Sequence, residues 1–251
     1  MDSLPFALAA LGAGAGILGA LLGVGGGVIL VPALILLANE PFHAAVGTSL
    51  VCVVATSVAG SAVHFQRAMV DPGTALRLQA FAAAGAVVAA LAAPFIPVRG
   101  LFVAFAVLLV GAAWQLWPRA DRAPAAVTQP HGALARVVAA GGGLIGGLLG
   151  VGGGIVFVPL LHSLAGLDFH RAAATSVYLI GLTAGSGAAV YLVRGDVDLP
   201  VVAPTMLGVL IGANIATRVA RRVSAAWLKG GFALLLLYVA VRMLLRALAH
   251  A

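Results

Sequence analysis

The sequence predicts an all-α fold, a polytopic bundle of membrane helices built from two homologous repeats. Of its 251 residues, 63% are hydrophobic and only 8% are charged, and the mean hydropathy is +1.15. Soluble domains carry about 25% charged residues, so this chain has too few charges for a water-exposed surface. Apolar runs of membrane-spanning length, about 18 residues or more, recur along most of the chain. An internal repeat is the third observation.

The repeat is clearest in two glycine-rich stretches. Residues 19–34 read GALLGVGGGVILVPAL and residues 146–161 read GGLLGVGGGIVFVPLL, identical at 11 of 16 positions without a gap. The same offset of 127 residues relates later pairs, among them Phe42-His43 with Phe169-His170, Thr48-Ser49 with Thr175-Ser176, and Gly85 with Gly212. We therefore assign the chain to three parts, namely a first transmembrane repeat (1–117), a linker loop (118–133) and a second transmembrane repeat (134–251).

Each repeat begins with an apolar segment that three consecutive glycines interrupt. In the first repeat, residues 4–23 precede Gly25, Gly26 and Gly27, and an apolar piece follows at 28–38. Glycine costs about 1 kcal/mol relative to alanine inside a helix, so we expect the helix to break at the triplet. The following piece is roughly 16 Å long as a helix, about half of a ~30 Å hydrocarbon core. It is therefore predicted to be a half-helix.

Three ordinary spans complete each repeat. They are predicted at 43–66, 75–95 and 101–117 in the first repeat, and at 170–193, 199–217 and 225–246 in the second. The second broken element comprises 134–151, Gly152, Gly153 and Gly154, and a half-helix at 155–165. The linker contains three prolines, which is typical of a loop. The first 22 residues lack a basic segment and are partly repeated within the chain, so we expect them to be retained and not cleaved as a signal.

The basic residues of the loops predict the orientation of the repeats. If each broken element returns to the side it entered, the repeats are inverted and the 14 basic residues divide ten to four. If each crosses the membrane, the repeats are parallel and the division is eight to six. The positive-inside rule favours the inverted arrangement, with both termini outside and the linker cytoplasmic. Because the bases are scattered, the net charge of +7 does not indicate a nucleic-acid partner.

The doubled GVGGG break has two interpretations. Non-helical backbone inside a bilayer is tolerated only where protein buries it or where it lines a wet cavity. The break is therefore either a tight packing joint or the wall of a binding site. Half-helices beginning near Val28 and Ile155 would present unbonded N–H groups and the positive end of the helix dipole. Two inverted copies would direct both ends to one region near the midplane, as in secondary transporters of anions.

The candidate substrate-binding residues comprise symmetric sets and one residue without a repeat partner. They are Gly25, Gly26, Gly27, Gly152, Gly153, Gly154, Thr48, Ser49, Thr175, Ser176, His43, His170 and Asn214. The hydroxyls either donate to an anion or bond a backbone carbonyl, and the histidines either titrate or sit at the interface. The asparagine either lines a cavity or bonds a neighbouring helix. The predicted spans carry no charged residue at their middle, so a buried carboxylate relay is unsupported.

The tandem motif resembles a known family. The GLLGVGGG-x4-P pattern at Leu21 to Pro32 and at Leu148 to Pro159, followed by the two Thr-Ser pairs, is similar to the sulfite exporter TauE/SafE family of bacterial membrane transporters. The resemblance covers essentially the whole chain. It implies an inner-membrane exporter of small sulfur-containing or organic anions such as sulfite, thiosulfate or sulfonates. The expected partners are then a small anion and the lipid bilayer, and a homo-oligomer is left open.

Other function classes find less support in the sequence. GVGGG lacks the GxGxxG spacing of dinucleotide-binding loops, and the chain has no HExxH and no metal-like Cys/His spacing. We therefore predict neither an enzyme nor a cofactor or metal site, and Cys52, the single cysteine, is interpreted as a packing residue. A passive anion channel and a structural membrane subunit stay as alternatives to a carrier. Saturable flux with counterflow separates a carrier from a channel, and flux by the purified chain excludes a purely structural subunit.

Overall fold

A computed structural model describes residues 4–22, 26–116, 132–219 and 225–249. Within them the chain is all-helical, with one short 3-10 turn at Ala93–Phe95. The helices are α1 (Leu4–Leu22), α2 (Gly27–Leu37), α3 (Phe42–Gln66), α4 (Pro72–Ala92), α5 (Val98–Leu116), α6 (Ala133–Leu149), α7 (Gly154–Ser163), α8 (Phe169–Val193), α9 (Leu199–Val219) and α10 (Ala225–Ala249).

Six of these helices, α3, α4, α5, α8, α9 and α10, are long and apolar enough to cross a membrane. They coincide with the six ordinary spans expected from the sequence, so the prediction of an all-α, multi-pass membrane protein is confirmed. The remaining four are the shorter apolar helices α1, α2, α6 and α7, which flank the two glycine breaks. Most of the predicted linker and Gly25 lie outside the described residues.

The helices of the two halves correspond one to one. α3 and α8 both have 25 residues, α4 and α9 both have 21, and the half-helices α2 and α7 have 11 and 10. The contacts between the halves correspond as well. α1 packs on α9 as α6 packs on α4, while α3 packs on its equivalent α8 and α5 on its equivalent α10. The helices of each half therefore pack mainly on helices of the other half, and neither half packs as a separate domain.

Small residues allow the first helix of each half to lie against the second ordinary span of the other half. A Cβ added at Gly16 would collide with a backbone carbonyl of α9, and one at Gly212 with a backbone carbonyl of α1. Gly85 and Gly143 make the equivalent approaches between α4 and α6. Such close backbone contact is how membrane helices gain packing energy where lipid offers no hydrophobic driving force.

The central spans α3 and α8 run antiparallel. Gly47, near the start of α3, packs against Tyr191 near the end of α8, whereas the rings of Phe65 and Tyr178 lie 5.4 Å apart at the opposite ends. We call the end containing residues 38–41 and 194–198 the Glu40 end, and the end containing residues 67–71 the Asp71 end. Antiparallel equivalent helices are what inverted repeats require, but the membrane side that each end faces stays a prediction.

Candidate functional site

Both half-helices begin where the glycine triplets predict. α2 starts at Gly27 and α7 at Gly154, each one residue before the predicted position. In the second break Gly150, Gly152 and Gly153 have φ angles of +73°, +68° and +86°, a left-handed conformation that glycine adopts without a steric penalty. The Gly150 N–H still donates to the Gly146 carbonyl and ends α6. The backbone then turns over four residues into α7.

The two glycine breaks touch each other inside the protein. A Cβ at Gly27 would collide with the carbonyl oxygen of Gly150, and it would lie 3.0 Å from the Cα of Val151. Gly26 and Gly27 are buried, and Val151 has no exposed surface. The start of one half-helix thus lies directly on the break that precedes the other.

Apolar groups pack the second break from its remaining sides. A Cβ at Gly152 would lie 2.7 Å from the side chain of Ile180 and 3.0 Å from that of Val53. One at Gly153 would lie 2.7 Å from the carbonyl oxygen of Gly142. The backbone joint is therefore tight, and of the two interpretations of GVGGG the packing joint has a direct geometric basis in this structure.

Four buried hydroxyls form the Thr-Ser pairs of α3 and α8, and all four side chains are fully buried. The Ser49 hydroxyl donates to the Gly150 carbonyl at 2.7 Å, so α3 is bonded to the break of the other half. The Thr175 hydroxyl accepts from the backbone N–H of Asp71 at 3.0 Å. Among the described residues, the hydroxyls of Thr48 and Ser176 have no hydrogen-bond partner. Within this part of the chain, one hydroxyl of each pair is bonded and the other is not.

The two Thr-Ser pairs do not converge on a single point. Each pair lies about two turns inside its own span, and α3 and α8 enter from opposite ends. Thr48 is therefore toward the Glu40 end and Ser176 toward the Asp71 end, about 20 Å apart along the helix axes at 1.5 Å per residue. Of the two pairs, only Thr48-Ser49 forms a hydrogen bond to the described part of a glycine break, through the Ser49 hydroxyl.

A further buried hydroxyl near the middle of the bundle was not among the sequence candidates. Thr183 of α8 is fully buried and its hydroxyl has no hydrogen-bond partner, whereas its repeat equivalent Thr56 donates to carbonyls of its own helix. Beside it, the Ser57 hydroxyl donates to the Val177 carbonyl and bonds α3 to α8. The sequence shows that Thr56 and Thr183 correspond, but not that only one of them satisfies itself locally.

The two histidines of the predicted symmetric pair have different environments. His43 is half-buried, its Nδ1 has no hydrogen-bond partner, and Asp196 and Arg194 act on it electrostatically. His170 is exposed, and its backbone N–H donates to the Asp168 carboxylate that caps α8. His43 therefore lies near the charged residues that follow α8, whereas His170 lies at the exposed start of α8.

Asn214 lies on the outer face of α9. Its side chain is exposed, as are those of Leu207 and Ile211, which stand seven and three positions before it and so share its face of the helix. Gly208 and Gly212 occupy the opposite, buried face. Asn214 is thus separate from the glycine breaks.

The Glu40 end holds a polar network around Arg194. This guanidinium donates to the Ala90 carbonyl of α4 at 2.7 Å and forms an ion pair with Asp196 at 2.8 Å. It also lies over the Tyr191 ring, 5.4 Å from the centroid. The Tyr191 hydroxyl in turn donates to the Gly147 carbonyl at 3.2 Å, one turn before the second break. The network connects the mouth of the bundle to the helix that ends at the break.

Glu40 is the acidic residue of the adjacent loop. Burial raises the pKa of its carboxyl above the ordinary value of 4.5, and the negative charge of Asp198 raises it further. Within the described residues, no group of three or more His, Cys, Asp or Glu side chains is placed to hold a metal ion.

The chain is similar to known membrane transporter proteins. Residues 8–243 match the profile of the family described as Sulfite exporter TauE/SafE. The chain is 24% identical to the Probable membrane transporter protein YunE of Bacillus subtilis (strain 168), covering 86% of this chain and 88% of that protein. It is 26% identical to the Probable membrane transporter protein YdhB of the same organism, covering 81% and 85%. No solved structure matches the chain.

Proposed function

Because the chain belongs to the sulfite exporter TauE/SafE family, we propose that this multi-pass membrane transporter is a secondary carrier that exports small sulfur-containing or organic anions such as sulfite, thiosulfate or sulfonates. It works in the bacterial inner membrane, with both termini outside and the linker cytoplasmic. The substrate binds near the midplane between the two repeats. The observation that carries this proposal is the contact between the two breaks, where Gly27 of one half lies on Gly150 of the other.

The chemistry of the breaks suits an anion. The first N–H groups of α2 and α7 have no partner within their helices and carry the positive end of the helix dipole. Thr183 adds a neutral hydroxyl without a partner among the described residues near the middle of the bundle, and Thr48 and Ser176, about 20 Å apart, add one on either side of it along the proposed path. An unsatisfied buried polar group costs about 1–3 kcal/mol, and a bond to an anionic oxygen would remove that cost. These groups stabilise negative charge without a permanent buried cation, so the anion can also leave.

The packing favours a carrier over a passive channel. Backbone atoms of the two breaks are in contact, and Val53 and Ile180 close the second break from the side. An anion therefore reaches this point only if the two halves separate there. Rigid-body movement of one repeat against the other around a central site is how inverted-repeat transporters alternate access. The antiparallel pairing of α3 and α8 supports such an arrangement.

Flux measurements on the purified chain test the proposal. We would reconstitute the protein in liposomes and measure uptake of sulfite, thiosulfate, a sulfonate and a simple carboxylate at two pH values. We expect saturable flux and counterflow with at least one sulfur-containing anion. Flux that never saturates would identify a channel, and flux equal to that of protein-free liposomes for every anion would identify a structural subunit.

Two matched pairs of variants test the hydroxyls. Ser176→Ala removes a hydroxyl that has no partner, whereas Ser186→Ala on the same helix removes one that donates to the Leu182 carbonyl one turn back. We expect Ser176→Ala to raise the KM for the anion about tenfold, since a bond to a charged group contributes ~1.5 kcal/mol or more. Ser186→Ala should leave the KM unchanged. Equal KM values for the two variants would remove Ser176 from the site.

The second pair lies on α3. Thr48→Val replaces a hydroxyl that has no partner by a methyl group of nearly the same volume. Thr56→Val does the same to a hydroxyl bonded within its own helix. The proposal expects the KM to rise for Thr48→Val and not for Thr56→Val. The reverse order would show that the anion path does not pass Thr48.

A further inference from the structure

An apolar cavity of about 260 Å³ lies between α2 and α10. Val28, Pro32 and Leu36 of α2 form one wall, and Leu235 and Val239 of α10 form the other. None of the described glycines of the two breaks lines it. The cavity lies outside the site described above, and the proposed anion chemistry does not use it.

The length of the cavity along α2 is close to the thickness of one membrane leaflet. Its α2 wall runs from Val28 to Leu37, about 14 Å at 1.5 Å per residue. One leaflet of a ~30 Å hydrocarbon core has about the same thickness. Val28 lies next to the glycine break in the interior, and the exposed Leu37 lies at the Glu40 end. The groove therefore runs through one leaflet, from the middle of the membrane to its surface.

Two arginines stand at the surface end of this groove. Arg242 lines the cavity, and its guanidinium donates to the Tyr238 hydroxyl at 2.9 Å. Arg246, one turn further along α10, donates to the Asn39 side chain at 3.3 Å. Each guanidinium carries five N–H donors, so these contacts leave most donors available to a ligand. The described residues that line the cavity include no acidic side chain.

We propose that the groove between α2 and α10 binds an anionic phospholipid, with one acyl chain in the apolar cavity and the phosphate on Arg242 and Arg246. The apolar walls exclude a soluble anion from the cavity, and the two positive charges at its mouth select against a zwitterionic headgroup. α2 and α10 enclose the cavity along the length of α2, and the acyl chain fills that space. The bound lipid holds the half-helix that begins at the glycine break.

Native mass spectrometry of the full chain in mild detergent tests this proposal. We would titrate dioleoyl phosphatidylglycerol and, separately, dioleoyl phosphatidylcholine, which has the same acyl chains. The parent protein should bind phosphatidylglycerol more tightly. Since an arginine near the surface contributes about 1 kcal/mol toward an anionic lipid, each of Arg242→Gln and Arg246→Gln should weaken that binding roughly fivefold. The double variant should bind the two lipids equally.

Arg136→Gln is the matched control. Arg136 is also exposed and lies over an aromatic ring, 5.6 Å from the centroid of Phe81, as Arg242 lies 5.8 Å from that of Tyr238. Its replacement should not change phosphatidylglycerol binding. Ala33→Phe places a ring in the cavity and should weaken both lipids, which separates the acyl contact from the headgroup contact.

Three results would overturn the proposal. The first is equal binding of the two lipids by the parent protein, and the second is an effect of Arg136→Gln as large as that of Arg242→Gln. The third is a dimer that Ala33→Phe dissociates, because a second copy of the chain would then occupy the groove. The arginines are on the surface, so their variants keep the fold and the test does not depend on the cavity variant alone.

Discussion

Replacing Gly27 by alanine tests the contact between the two breaks most directly. The added Cβ collides with the Gly150 carbonyl oxygen and lies 3.0 Å from the Val151 Cα and 3.1 Å from the Ser49 Oγ. Two of these three neighbours are backbone atoms, which cannot rotate away. Gly14→Ala is the control, since a Cβ at that position of α1 meets nothing within 4 Å.

The two variants should change stability in opposite directions. Overpacking of a well-packed interior costs about 1–3 kcal/mol, whereas alanine gains up to about 1 kcal/mol over glycine within a helix. At Gly14 only the gain applies, so the free energy of unfolding should rise by up to ~1 kcal/mol. At the first residue of α2 the helical gain is small, and we expect a net loss of about 1–2 kcal/mol.

Unfolding in mixed micelles, followed by circular dichroism as denaturing detergent is added, measures both changes. Flux in liposomes gives a second reading, because a displaced joint should also alter transport by Gly27→Ala and leave Gly14→Ala active. Equal unfolding midpoints for the two variants would refute the contact, because a Cβ between two touching backbones cannot be accommodated without cost.

Three other changes have definite expected outcomes. Gly153→Ala should destabilise the fold by about 2–4 kcal/mol, because left-handed strain of ~1 kcal/mol adds to overpacking. Gly195 has a φ of +76° and no neighbour within 4 Å of an added Cβ, so Gly195→Ala should lose only the strain energy. Thermal unfolding measures both losses. Burial raises the pKa of the Glu40 carboxyl, so the stability that the protonated carboxyl contributes is full below pH 4.5 and is lost as pH rises through the raised pKa. The melting temperature of Glu40→Gln should not show this decline with pH. Arg194→Gln breaks a bond to a carbonyl of α4 and an ion pair and should lower the unfolding midpoint, while Arg67→Gln at the exposed equivalent position should not.

The periodic and compositional features of the fold could be predicted from the sequence. Each glycine triplet fixes a helix boundary through a local backbone cost, so the starts of α2 and α7 were predicted to within one residue. The six spans depend on length and hydropathy, which are also local. The crosswise packing of α1 on α9 could not be predicted, because the glycines at 12, 16, 208 and 212 show only that some close partner exists and not which one.

The candidate site was harder to predict because its contacts join distant parts of the chain. The sequence predicts that the starts of both half-helices point to one region near the midplane. The structure places Gly27 of one break on Gly150 of the other, and the role of this region in binding stays a prediction. The bond from Ser49 to Gly150 and the Arg194 network cross between helices and have no sequence signal. Asn214 is the opposite case. Its spacing from Leu207 and Ile211 places the three side chains on one face of α9, and the sequence alone is enough to predict this shared face.

The unequal bonding of the Thr-Ser pairs gives a reason for the doubled unit. Ser49 and Thr175 are bonded to backbone groups, while their equivalents Ser176 and Thr48 have no partner in the part of the chain that the structure describes. Residues at equivalent positions of the two repeats therefore differ in their hydrogen bonding. We expect a second conformation in which Ser176 and Thr48 are bonded and Ser49 and Thr175 are not. Each unsatisfied group costs about 1–3 kcal/mol, and both conformations contain the same number of them, so their free energies should be nearly equal. Ser176→Ala should then lower the maximal flux as well as the affinity, since it removes a bond made only after the exchange. A change in KM with an unaltered maximal flux would show that Ser176 contacts the anion and that the exchange plays no part in transport.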